Sequence, residues 1–92
     1  MNTVILTTTL TTGASDTVYL SHILATKQSG IVQVDGIDGD TVQIQGRLEG
    51  AMNWVTIATF TANDAQSIML FPEMRVNLSV NGSGTIVARI GA

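Results

Sequence analysis

The chain has 92 residues, of which 45% are hydrophobic and 12% charged, with a formal net charge of −3 and no cysteine. Nucleic-acid and membrane-surface binding both need clustered basic residues, so this composition excludes both partners. The basic residues stand singly along the chain: Lys27, Arg47, Arg75 and Arg89. The length predicts one domain over residues 1–92, near the lower end of what folds alone.

Targeting signals are not apparent in the sequence. No apolar run approaches the roughly 20 residues of a transmembrane helix. The first ten residues, MNTVILTTTL, lack a basic region and a clear cleavage site, so they do not predict a signal peptide. The absence of cysteine suits a protein made in a reducing cytoplasm.

Short β-branched or apolar runs, separated by turn residues, follow one another along the chain. Residues 22–30 have room for one helical turn, and residues 35–40 contain two Asp-Gly pairs typical of tight turns. Residues 61–65 read as a polar loop, and residues 81–84 as a hairpin turn. Strands are predicted at residues 3–11, 17–21, 31–34, 41–49, 54–60, 67–71, 75–80 and 85–90.

Residues 40–60 predict the β-hairpin around which the core is built. Apolar and polar residues alternate before the break at residues 50–53, as in a half-buried strand, and a second apolar run follows. Residues 75–80 alternate in the same way. The predicted core residues are Val42, Ile44, Leu48, Trp54, Phe60, Val76, Leu78 and Val80.

About eight short strands, with turns every eight to twelve residues, predict an all-β fold. We expect a small antiparallel β-sandwich of jelly-roll or immunoglobulin-like topology. No segment predicts a helix longer than one turn.

The candidates for chemistry are few, and each has a simpler structural interpretation. The residues 35–40, DGIDGD, do not match the ligand order of an EF-hand and read as turn chemistry, so we expect no metal site. Neighbouring Ser21 and His22, with Asp16, do not predict a catalytic triad, because adjacent side chains point apart. Glu49 and Glu73 meet only the loose requirement for a glycosidase pair. We therefore predict no enzyme, no catalytic residue and no cofactor.

Surface residues instead favour an interaction protein. The runs 54–60 and 67–71 are apolar on both faces, although a two-layer fold has one interior. Residues 3–11 carry no charge, whereas free edge strands are usually protected by charged side chains. The predicted interface residues are Val4, Leu6, Thr8, Val55, Ile57, Met69 and Phe71. We expect a closed homo-oligomer, a trimer ahead of a dimer.

A family resemblance rests on packing and turn motifs between residues 41 and 90, about half of the chain. A strand ends in Gly-x-Leu-x-Gly and is followed by Asn-Trp; a Pro-x-x-Arg-Val strand and a Gly-x-Gly-Thr turn come later. The matching residues are Gly46, Leu48, Gly50, Asn53, Trp54, Pro72, Arg75, Val76, Gly82, Gly84 and Thr85. This outline resembles small β-sandwich proteins of tailed-bacteriophage particles.

The resemblance implies a virion component, first of all a head decoration (cement) protein that stabilises the capsid by contacting the major capsid protein or other virion proteins. It supplies no site residues. The alternative is a carbohydrate-binding or receptor-binding module of a fibre or tail, in which Trp54 would stack on a sugar ring.

Overall fold

The computed structural model of the chain describes residues 4–92, and side chains from Thr8 onward. It contains nine strands and one single-turn helix, α1 (Ser21–Leu24). The strands are β1 (Val4–Leu10), β2 (Gly13–Ala14), β3 (Val18–Tyr19), β4 (Ser29–Asp35), β5 (Thr41–Arg47), β6 (Val55–Phe60), β7 (Asp64–Met69), β8 (Glu73–Val80) and β9 (Ile86–Gly91). This helix is far too short to cross a bilayer, and no longer helix occurs among the described residues.

The strands form two antiparallel sheets, which confirms the predicted β-sandwich. The first sheet has the order β1-β9-β4-β7, and the second has the order β2-β8-β5-β6, with β3 also paired to β8. The chain passes from one sheet to the other six times, between β1 and β2, β3 and β4, β4 and β5, β6 and β7, β7 and β8, and β8 and β9. This alternation is that of a double-sheet jelly roll.

The core lies between the two sheets and consists almost entirely of aliphatic residues. The long strands β4, β5, β8 and β9 contribute alternate residues, because successive side chains point to opposite faces. Five residues predicted for the core are buried there: Val42, Ile44, Phe60, Val76 and Leu78. They are joined by residues from the first sheet, chiefly Val32, Val34, Ile86, Ala88 and Ile90.

The prediction that Trp54 belongs to the core is wrong, because β6 contains a bulge. The β5–β6 register moves from Ala58 opposite Ile44 to Thr56 opposite Gln45, which leaves Ile57 as the extra residue. An extra residue reverses the faces of every residue beyond it. Ala58 therefore faces the core, whereas Trp54 is only partly buried and lies on the outer face.

The core predictions for Val80 and Leu48 are also wrong. In β8 the register moves from Leu78 opposite Val42 to Val80 opposite Thr41, so a second bulge turns Val80 outward. Leu48 follows the last residue of β5 and lies in an exposed turn. Alternation alone predicts neither outcome, since a bulge and a strand end leave the hydrophobic pattern unchanged.

The predicted hairpin at residues 81–84 is wrong as well. β8 and β9 belong to different sheets, so these residues form a crossover between the sheets. The Asp-Gly segment between β4 and β5 is a second crossover, and Gly36 and Gly39 have the positive φ values that its turns require. Both crossovers lie at the same end of the sandwich and contact each other.

Candidate interaction site

A ladder of polar side chains covers the outer face of the second sheet. Asn77 Nδ2 donates a hydrogen bond to Gln43 Oε1 at 3.2 Å, and Arg75 Nε donates to Gln45 Oε1 at 2.8 Å. Gln45 Nε2 donates to Gln43 Oε1 at 3.3 Å. These residues alternate with core residues along β5 and β8, so the strand period itself places them on one face. The network holds the Arg75 side chain in a fixed position.

Trp54 completes this face together with two arginines. The Arg47 Cζ lies 4.1 Å from the centroid of the indole ring, and the Arg75 Cζ lies 4.5 Å from it. A guanidinium at this distance is attracted by the ring's quadrupole. We call these three residues the Arg–Trp cluster. Sequence reasoning missed the cluster because the bulge that turns Trp54 outward has no clear sequence signal.

The Arg–Trp cluster has two positive charges, one of which is paired with the carboxylate of Glu73. Arg47 Nε donates to Glu73 Oε1 at 2.9 Å, with both side chains mostly buried. Among the described side chains, Arg75 forms a hydrogen bond only with the neutral Gln45 and no ion pair. Burial, and next the positive charge of Arg47, lower the pKa of the Arg75 guanidinium. An anion close to Arg75 would favour the charged guanidinium and so oppose this lowering of the pKa.

Exposed apolar side chains concentrate at the end of the sandwich that carries the β5–β6 turn. The register places β3 beside the start of β8, and the start of β8 beside the end of β5. Large apolar side chains at this end are each at least half exposed. We call this surface the apolar end; its residues are Tyr19, Leu48, Met52, Val55 and Met69. Of these residues, Leu48 and Met69 line one groove, and exposed apolar surface of this kind is typical of protein-interaction sites.

An open groove of about 350 Å³ forms part of the apolar end. Leu48 and Met69 line it from opposite sheets, together with Leu24, Leu70 and Pro72. Two groove residues adjoin the Arg47–Glu73 ion pair along the chain, since Leu48 follows Arg47 and Pro72 precedes Glu73. This arrangement can accept an apolar side chain next to a charged or polar one.

The predicted interface residues differ in their exposure. Val55 and Met69 are exposed and belong to the apolar end, whereas Thr8 is half-buried. The side chains of Val4 and Leu6 lie outside the described residues.

Ile57 and Phe71 were predicted for the same interface but are partly buried against the core. They occupy the space over Gly46, where an added Cβ would lie 2.7 Å from Phe71 Cγ and 2.8 Å from Ile57 Cδ1. The bulge explains the position of Ile57, because it places this residue inward beside Ala58.

At the opposite end, a buried carboxylate joins the two crossovers. Asp40 accepts backbone N–H groups from Asp38 at 2.9 Å, Gly82 at 2.8 Å and Gly84 at 3.1 Å. The Asp38 hydrogen bond contributes most to lowering the pKa of Asp40; burial opposes it, and Gly82 and Gly84 add to the lowering. Sequence reasoning assigned Asp40 only to a turn, since two of its partners are more than 40 residues away.

This geometry predicts an acid-dependent stability. A carboxylate whose pKa is lowered by folding stabilises the folded state above its ordinary pKa of 3.8, and this contribution is lost as the pH falls through the folded value. We expect Asp40→Asn to lower the Tm at pH 7, and to show a smaller further loss of Tm than the unchanged protein when the pH is taken below 3.8.

The control is Asp38→Asn, which removes an exposed charge from the same crossover without removing an acceptor of the three N–H groups. Thermal unfolding followed by circular dichroism at a series of pH values checks the prediction. Parallel Tm curves for the unchanged protein and Asp40→Asn would contradict it.

The residues considered for catalysis and metal binding do not converge. Ser21 and His22 are exposed at the start of α1, and no hydrogen bond links either to Asp16 among the described side chains. Glu73 is paired with Arg47, whereas Glu49 lies in the exposed β5–β6 turn. Within residues 4–92, no three histidine or acidic side chains form a group suited to a metal ion. These positions support no reaction mechanism.

Comparison with known proteins adds no assignment, since no family model, curated protein or solved structure matches the chain.

Proposed function

We propose that this chain is a structural protein of a virus particle, a head decoration protein of the tailed-phage type. It associates with copies of itself, and we favour a trimer over a dimer. It also binds the major capsid protein or another virion protein. It is made in the host cytoplasm and ends in the virion.

The observation that carries this proposal is the apolar end. Five large apolar side chains are exposed there, and burying them against a partner would remove considerable apolar surface from water. The adjacent Arg–Trp cluster fits the same role, since tryptophan and arginine are enriched among the residues that dominate binding energy at protein interfaces. The described residues offer no comparable arrangement for catalysis.

The jelly-roll topology supports the proposal by analogy only. Double-sheet jelly rolls recur in viral capsid proteins and also in lectins. A fold hosts many functions, so the surface must decide between them.

Charge substitutions at the two ends of the sandwich test the proposal. Met69 lies at the apolar end and Val80 near the opposite end, and both side chains are more than half exposed. We expect Met69→Lys to weaken self-association measured by light scattering, because a charge at the centre of an apolar interface must be desolvated. Val80→Lys, an exposed control outside the apolar end, should weaken association less than Met69→Lys. Equal effects of the two substitutions would contradict a role for the apolar end.

Sugar binding is the second candidate, and the outward position of Trp54 favours it. Gln43, Gln45 and Asn77 provide hydrogen-bonding groups on the same face. The two guanidinium groups over the indole ring weigh against it, because stacking on a sugar needs an uncovered ring face. Titration of tryptophan fluorescence with neutral hexoses distinguishes the candidates, and we expect no saturable change.

A further inference from the structure

Arg75 has hydrogen-bonding capacity that the fold does not use. A guanidinium has five N–H donors, and the side-chain bond found for Arg75 uses only Nε. The two terminal amino groups can together take one carboxylate in a bidentate pair. Because Gln45 and Trp54 fix the guanidinium, little side-chain entropy remains to be lost on binding.

The opposite end of the sandwich presents exposed carboxylates. Asp38 lies in the β4–β5 crossover and Asp64 at the start of β7, and both residues are exposed. The two segments are joined, since Ile37 N–H donates to Asn63 Oδ1 at 3.0 Å. We call residues 36–40 with Asp64 the acidic loop. No lysine or arginine of the described chain lies in it.

The acidic loop is held in one conformation before any partner binds. Asp40 fixes the crossover from inside, and Ser83 N–H donates to the Asp38 carbonyl at 2.9 Å. A preordered loop loses little conformational entropy on docking. Its charge is opposite to that of the Arg–Trp cluster.

The acidic loop and the Arg–Trp cluster cannot meet within one molecule. The loop precedes Thr41, the first residue of β5, and Arg47 is the last, so a length of about 20 Å separates them. Complementary surfaces at opposite ends of one protomer form a head-to-tail contact between copies.

We propose that the Arg–Trp cluster binds the acidic loop of a second copy of this chain, with the Asp38 carboxylate on the Arg75 guanidinium. This inference rests on the proposed function, because it specifies how the self-associating protein is joined. A head-to-tail contact gives a closed ring when the rotation between copies closes. Apolar contacts beside the cluster supply affinity, and the charge pair sets the orientation of the copies.

Charge exchange tests this contact. We expect Arg75→Glu and Asp38→Arg each to raise the dissociation constant for self-association at least about tenfold, because each places like charges together in a partly buried contact. The double variant, which exchanges the two charges, should recover most of the affinity of the unchanged protein. Sedimentation velocity at several concentrations measures the effect, with circular dichroism as the check on folding.

Arg89→Glu and Asp16→Arg serve as controls, since these exposed residues lie outside the cluster and the acidic loop. Single variants that associate normally would overturn the inference, as would a double variant that fails to recover. If the unchanged protein does not associate at all, the proposed function itself fails. Association that is insensitive to these charges contradicts only the contact.

Discussion

Val76→Ala should lower the free energy of unfolding by about 2–3 kcal/mol, whereas Val80→Ala should cost less than about 0.5 kcal/mol. Both valines lie in β8 and share the same alternating pattern, yet Val76 is fully buried and Val80 is 52% exposed. The difference comes from the bulge between them. Val76→Ala removes two methylene-sized groups from a closed core and leaves a cavity, while Val80→Ala changes a solvated side chain.

Urea unfolding of the two variants measures the difference directly, and unchanged m-values would confirm that the folded and unfolded states keep their compactness. Similar losses at both positions would mean that Val80 faces the core. In that case the register of β8 between Leu78 and Val80, and with it the bulge at Ser79, would be incorrect.

Gly36→Ala should destabilise the fold much more than Gly39→Ala, although both glycines lie in the same crossover. Both have positive φ values, 86° and 77°, so each substitution carries the left-handed backbone penalty of about 1–2 kcal/mol. At Gly36 the added Cβ would also overlap the Thr85 carbonyl, whereas at Gly39 the nearest atom is 4.0 Å away. The forced displacement should add about 1–3 kcal/mol, as in an overpacked core.

Thermal and chemical unfolding of the two variants isolates this steric contribution, because the conformational penalty is shared. Equal destabilisation would show that Gly36 does not lie against the Thr85 carbonyl.

Local patterns in the sequence predict much of the fold. The alternation in residues 41–47 and 75–80 places Val42, Ile44, Val76 and Leu78 in the core, where they are found. The Asp-Gly pairs predict tight turns, and Gly36 and Gly39 have the required positive φ values. The alternation of apolar residues and the chemistry of a tight turn both depend on residues close together in the chain, so a single sequence is enough to predict them.

Features that depend on distant residues could not be predicted in this way. Two bulges turn Trp54 and Val80 outward, and their positions are set by pairing with β5. Residues 81–84 have hairpin chemistry, but β9 pairs with β1 and β4 in the other sheet. The Arg–Trp cluster combines residues from β5, β8 and the turn before β6, so it requires both the sheet order and the bulge.

Self-association of the unchanged protein is tested by its molar mass, measured by light scattering across dilution and salt. We expect a trimer, three times the 9.7 kDa of one chain, that dissociates on dilution. Raising the salt concentration should change the mass little, since the apolar contacts supply most of the affinity and salt screens only the charges. A constant mass of 9.7 kDa at every concentration would contradict self-association.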